Sequence, residues 1–109
     1  RDAVKRYRVE YLPEAIDALR VAFLYILEES GSDRAGTWLA EVYSSIDELE
    51  TAPRATRDEG LFYGREFRSK LVMAHRVFLT IDDLERVVYV IVVVHTARQT
   101  KLDEYREDG

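Results

Sequence analysis

The chain has 109 residues, with 16 Lys and Arg against 21 Asp and Glu, a formal net charge of -5 and no cysteine. Hydrophobic residues make up 47% and charged residues 34%, enough for one core with a polar surface, so a largely disordered chain, a disulfide framework and a thiolate site are all excluded. The acidic balance also argues against a protein that coats nucleic acid through a broad basic face.

The charge is unevenly placed. Residues 1–50 carry 6 basic and 11 acidic side chains, residues 51–76 carry 6 and 3, and residues 77–109 carry 4 and 7. The middle of an acidic chain is therefore a basic island. The longest apolar run, 87–94, is far short of the about 20 residues that cross a bilayer, so no membrane partner is expected. The basic start leads into strand-like alternation rather than a secretory segment, which with the lack of cysteine implies a cytoplasmic protein. One domain is expected over 1–99, followed by a polar tail over 100–109.

Residues 7–12 alternate Tyr7, Val9 and Tyr11 with Arg8 and Glu10, the period of a strand with one buried face. Pro13 suits the first turn of a helix whose stripe is Ala15, Ile16, Leu19, Phe23, Ile26 and Leu27, with Gly31 closing it. Val21, Leu24 and Tyr25 lie off that stripe and imply a second contact surface. Ser32 or Asp33 can cap a second helix with the stripe Ala35, Trp38, Leu39, Val42, Tyr43, Ile46 and Leu49, ending before Pro53. So short a connection makes the two helices an antiparallel hairpin.

Residues 52–64 lose all periodicity and read as a loop holding Arg54 and Arg57. Strands are expected over 65–72, 74–81 and 86–95, with short connections that make an antiparallel meander. The last strand is apolar on both faces, from Val87 to Val94, so it belongs in the middle of a sheet. The fold class that follows is α+β, a helical hairpin on a mostly antiparallel four-stranded sheet in the order β-α-α-β-β-β.

Motifs for metal or cofactor chemistry are missing. His75 and His95 have no metal-ligand spacing, no glycine loop cradles a phosphate, and no serine stands in a nucleophile elbow, so neither a metal nor a cofactor is expected. The positive signal is the alternation Glu66, Arg68, Lys70, with Arg76 opening the next strand and Arg98 following the last. Pairing around Met73 would set Lys70 across from about Arg76. Like charges opposed in a sheet destabilise it, so such a cluster calls for an anionic partner.

Four stretches, YRVEYLPEAIDAL, YILEESGSDRAGTWLAEV, FYGREFRSKLVMAHRVFLTID and VYVIVVVHTAR, resemble in order and spacing the ParE/RelE superfamily of toxins from bacterial type II toxin-antitoxin systems. The resemblance covers Tyr7 to Gln99, and the tyrosine-rich end of helix one and the strand ending in His95 and Arg98 favour the ParE branch. It implies a toxin that poisons DNA gyrase and is neutralised by a cognate antitoxin, within a dimer or a toxin-antitoxin hetero-oligomer. Arg65, Arg68, Lys70, Arg76, His95 and Arg98 would contact the target, and Val21, Leu24 and Tyr25 the antitoxin. The alternative the resemblance implies is a RelE-like endoribonuclease that cuts mRNA on the ribosome, with Arg68, Lys70, Arg76, Arg98 and Tyr105 as catalytic residues. A third reading is a non-toxic module that only binds an antitoxin or dimerises.

Overall fold

A computed structural model describes residues 6–97 of the chain. The elements run β1 (Arg8–Tyr11), α1 (Pro13–Ser30), α2 (Ser32–Asp47), a short 3-10 helix (Glu48–Glu50), β2 (Arg57–Phe62), β3 (Arg65–Val72), β4 (His75–Asp82) and β5 (Val87–His95). The strands form one sheet in the order β1-β5-β4-β3-β2. Only the β1-β5 pair is parallel; β2-β3, β3-β4 and β4-β5 are antiparallel. The α+β architecture and the central place of the doubly apolar β5 follow the expectation.

The sheet has five strands rather than four, because part of the segment read as a loop forms the edge strand β2. Its sequence RDEGLF has no apolar alternation, since an edge strand with mostly exposed side chains does not need one. A bulge between Asp58 and Gly60 interrupts its pairing. The turn into β3 is Tyr63-Gly64, with φ of 51° and 78°; positive φ at both positions is what a two-residue hairpin turn requires.

Pro13 does open α1, where its missing N–H costs nothing. Gly31 alone joins the helices: its N–H donates to the Leu27 carbonyl and its own carbonyl accepts from Ala35. Its φ of 91° and ψ of 171° form a conformation open to glycine and strained for other residues. Ser32 is thus the first residue of α2 and neither it nor Asp33 caps the helix; Gly31 holds the cap position with no side-chain bond.

Ala15 and Leu19 are buried on α1, and Ala35, Trp38, Val42 and Ile46 on α2. Of these, Ala15, Leu19, Trp38, Val42 and Ile46 meet Val72, Val77, Leu79, Ile81, Val88, Val90 and Val93 on one face of the sheet. Complete burial of each such aliphatic side chain contributes about 1.5–3 kcal/mol, and this cluster is the main core. Ile16 and Leu27 belong to the exposed side of α1 instead of its stripe. Leu19, Phe23 and Ile26, with Ala15, Ala18 and Ala22, face the core instead. A second cluster, Phe67, Phe78, Ile91 and Val92, lies beyond the main one, with Phe67 and Phe78 stacked at 5.5 Å.

Candidate functional site

The basic strip of β3 does not gather on one side with Arg76. Register pairs Arg68 with Leu79 and Lys70 with Val77, so both lie on the face that α1 and α2 cover. Arg76 pairs with Leu71, on the opposite face with Phe67, Ser69 and Phe78. The expected opposition of Lys70 and Arg76 is therefore off by one position. A one-residue slip in an antiparallel pair moves a side chain to the other face of the sheet.

Arg68 and Lys70 are committed to structure. Arg68 donates to the Glu66 carboxylate at 2.6 Å, to the Thr56 hydroxyl at 2.8 Å and to the Thr56 carbonyl at 2.7 Å, tying β3 to the segment before β2. Lys70 Nζ donates to the Ser45 carbonyl at 2.8 Å and to Glu48 at 2.6 Å. It thereby satisfies a carbonyl near the negative end of α2, the place where a cation stabilises a helix. The ammonium in turn holds the Glu48 carboxyl below its ordinary range.

Arg76 is different. Its Nη1 donates to the Ser69 hydroxyl at 2.8 Å, while its buried Nε has no hydrogen-bond partner and the side chain no ion pair among the described residues. The Ser69 hydroxyl donates to a Glu59 carboxylate oxygen at 2.6 Å, and Arg57 donates to the same oxygen through Nε and Nη2. The Glu59 side chain is only 4% exposed. Burial first, then the neighbouring Arg57 charge, lowers the pKa of Arg76, and Glu59 opposes this. Arg57 thus holds the Glu59 carboxylate directly, and Arg76 reaches it only through the Ser69 hydroxyl.

An open cleft of about 410 Å³ lies at this point, lined by Arg54, Ala55, Thr56, Arg57, Ser69, Lys70, Leu71 and Arg76. It forms where β3 outruns β2, whose pairing ends at Arg57 with Ser69. The lining holds cations, hydroxyls and apolar surface but no imidazole and no carboxylate. Such a cleft can hold an anion by charge-assisted hydrogen bonds, and it offers no group of the kind that usually relays protons near neutral pH.

The remaining expected residues are scattered. Arg65 pairs with Asp82 at 3.3 Å. His95 is exposed at the end of β5. Arg98 and Tyr105 lie outside the described residues. Val21, Leu24 and Tyr25 are 58%, 48% and 64% exposed on the outer side of α1, together with Ile16.

Two constellations were not legible as such in the sequence. Arg54, read as a loop residue, donates to Glu66 at 2.7 Å and to Asp83 at 2.7 Å, and its Nη1 reaches the Tyr7 hydroxyl at 3.4 Å. Tyr7 also donates to Asp83 at 2.6 Å. The guanidinium holds both carboxyl groups below their ordinary range. The second is a trio of rings, with His75 tilted against Trp38 at 5.1 Å and edge-on to His95 at 5.1 Å. His95 Nδ1 accepts a hydrogen bond from the Ala97 amide at 3.1 Å. Among the described residues no group of three His, Cys, Asp or Glu could hold a metal ion. No helix among them is long and apolar enough to cross a membrane.

The order of elements, the hairpin and the sheet find counterparts in known proteins. The family described as ParE toxin of type II toxin-antitoxin system, parDE, matches residues 9–100. The chain belongs to the ParE toxin family. Its role is therefore that of a toxin in a type II toxin-antitoxin system. Among solved structures, a chromosomal ParDE system from P. aeruginosa superposes with a TM-score of 0.69 at 6% identity, over 82% of this chain and 95% of that one. The RelBE2 toxin-antitoxin complex from Mycobacterium tuberculosis gives 0.62 at 21%, over 87% and 97%. E. coli RelE in the free state gives 0.61 at 17%, over 92% and 93%. At these identities the likeness is one of fold, and it extends to both branches of the superfamily. No curated protein matches the chain in sequence.

Proposed function

We propose that this ParE-family toxin arrests growth by trapping DNA gyrase rather than by cutting mRNA. The observation that carries the reading is the fate of the strand arginines. A ribonuclease without histidine would need Arg68, Lys70 and Arg76 converging on one phosphate. Here Arg68 is held by Glu66 and Thr56 and Lys70 by Glu48 and Ser45, and although Lys70 and Arg76 both border the cleft, their side chains leave opposite faces of the sheet. A net charge of -5 also opposes approach to the polyanionic ribosome. Arg76 and the exposed His95, with Arg65 and Arg98, contact the target in this reading.

The cognate antitoxin covers the outer side of α1, where Val21, Leu24 and Tyr25 form an exposed apolar surface suited to a helix or an extended segment. Support comes from the structural neighbours, which include toxins solved with their antitoxins. One preparation of toxin should be assayed side by side on gyrase supercoiling and cleavage and on mRNA in a translating extract. Gyrase-dependent DNA cleavage with intact mRNA is the expected result. Untouched gyrase at excess toxin would sink the proposal, and mRNA cut at codons in the extract would replace it with the ribonuclease.

A further inference from the structure

The surface next to Arg76 has a composition that the anion-binding cleft alone does not explain. Leu71, the cross-strand partner of Arg76, is 53% exposed, and Met73 in the adjoining turn is 48% exposed. Met73 has φ of 55°, a conformation uncommon for a residue other than glycine. Partners across an antiparallel ladder have Cβ atoms about 5 Å apart, so Leu71 and the Arg76 stem form one surface. Exposed Leu and Met beside arginine is the make-up of a protein contact, where apolar area is buried around a charge-assisted hydrogen bond.

The charges identify the occupant. Of the cations lining the cleft, Arg54 is matched by Glu66 and Asp83, Lys70 by Glu48 and Arg57 by Glu59. Arg76 has no ion pair among the described residues, and its buried Nε is unpartnered. The local excess is thus a single guanidinium. One carboxylate balances it, whereas a nucleic-acid strand brings a run of phosphates to a chain of net charge -5 and has no use for Leu71 and Met73.

We propose that the Arg76 end of the β3-β4 hairpin docks a peptide segment of a partner protein that carries an Asp or Glu next to an apolar side chain. The carboxylate is held by Arg76 with Arg57 beside it, and the apolar neighbour lies on Leu71 and Met73. This deepens the target-contact reading and rests on it only for the partner's identity. Peptide binding is measured without gyrase, so the two proposals fail separately.

The test selects a displayed library of random peptides against the full chain and measures the best synthetic peptide by calorimetry and by amide shifts of the labelled protein. Selected sequences should pair an acidic with an apolar residue and shift Leu71, Met73 and Arg76. Arg76→Gln, Leu71→Ser with Met73→Ser, and Gln in place of the peptide's acid should each weaken binding about tenfold. Leu71 and Met73 are exposed, so that double variant keeps its fold, which the amide spectrum checks. Failure to select acidic-apolar peptides, or binding that survives Arg76→Gln, overturns the proposal. So does tighter binding of a short oligouridylate at Arg76, or self-association of the chain that Leu71→Ser abolishes.

Discussion

His75 and His95 face each other across the β4-β5 ladder, their ring centroids 5.1 Å apart and their planes at 80°. His75 is buried between that ring and Trp38, and burial first, then the neighbouring His95, keeps its pKa below the ordinary value. Its Nδ1 and the Trp38 Nε1 are buried with no hydrogen-bond partner among the described residues.

That burial predicts a specific acid response. Above about pH 7 the ring is neutral whether folded or unfolded, and it contributes no pH dependence. Below about pH 6.5 the unfolded chain takes up a proton that the folded state resists, so stability falls with pH. Melting followed by the fluorescence of Trp38, the chain's one tryptophan, should show a midpoint that drops from about pH 7.5 to about pH 5.5. His75→Phe keeps the ring contacts, removes the orphaned Nδ1 and should flatten that slope. An unchanged slope in His75→Phe would assign the response to other groups.

Arg54 joins the residue before β1, β3 and the β4-β5 turn through Tyr7, Glu66 and Asp83. The groups are 44%, 31% and 59% exposed for Arg54, Glu66 and Asp83, so solvent screening limits the network. Arg54→Ala should cost about 1–2 kcal/mol in urea unfolding. Both carboxyl groups have lowered pKa values, so their contribution is complete above their unfolded pKa of about 4 and is lost as pH falls through the folded values. The wild-type advantage over Arg54→Ala should therefore shrink below about pH 4, a window separate from that of His75.

Gly31 separates sterics from backbone strain. A Cβ built there meets nothing within 4 Å, yet φ is 91°. Gly31→Ala should destabilise the chain by about 1–3 kcal/mol wholly through backbone strain, without a change in the core. Gly36 also has open space around it and needs no positive φ, so Gly36→Ala in α2 should stabilise by about 0.5–1 kcal/mol. Thermal melts of the two variants should move in opposite directions.

Lys70 and Arg76 should part company in assays of stability and toxicity. Lys70→Met leaves the Ser45 carbonyl without its donor and should lower stability by about 1 kcal/mol. Arg76→Gln keeps a donor for Ser69 and should change stability by less than about 0.5 kcal/mol, while weakening growth arrest on induced expression. Equal loss of toxicity in both variants at matched protein levels would argue for one shared phosphate site.

The elements with strong periodicity were legible because their signals are local. Pro13 and Gly31 bound α1, the Trp38-Val42-Ile46 stripe marks α2, and the double apolar character of β5 placed it centrally before any pairing was known. β2 was not legible, since an exposed edge strand carries no apolar alternation; the Tyr63-Gly64 pair between LF and REF was its one local sign. The basic island is visible in the composition, but which face its side chains take depends on register. The pairing of Arg76 with Leu71 rather than Lys70 sets its side chain on the other face of the sheet, so the two cations border the cleft from opposite sides.

The architecture class, the helical hairpin, the central strand and the family membership follow from local pattern, because periodicity, turn chemistry and composition act over a few residues. Which charges are spoken for follows from long-range packing alone. Glu48 reaches Lys70, Asp83 reaches Arg54, and His95 reaches His75 from positions far away in the chain. A cation's availability depends on the carboxylates that folding brings within about 4 Å of it, and the same holds for the burial that shifts a histidine. Neither can be read from neighbours in sequence, and together they leave Arg76 with a buried Nε that has no hydrogen-bond partner among the described residues.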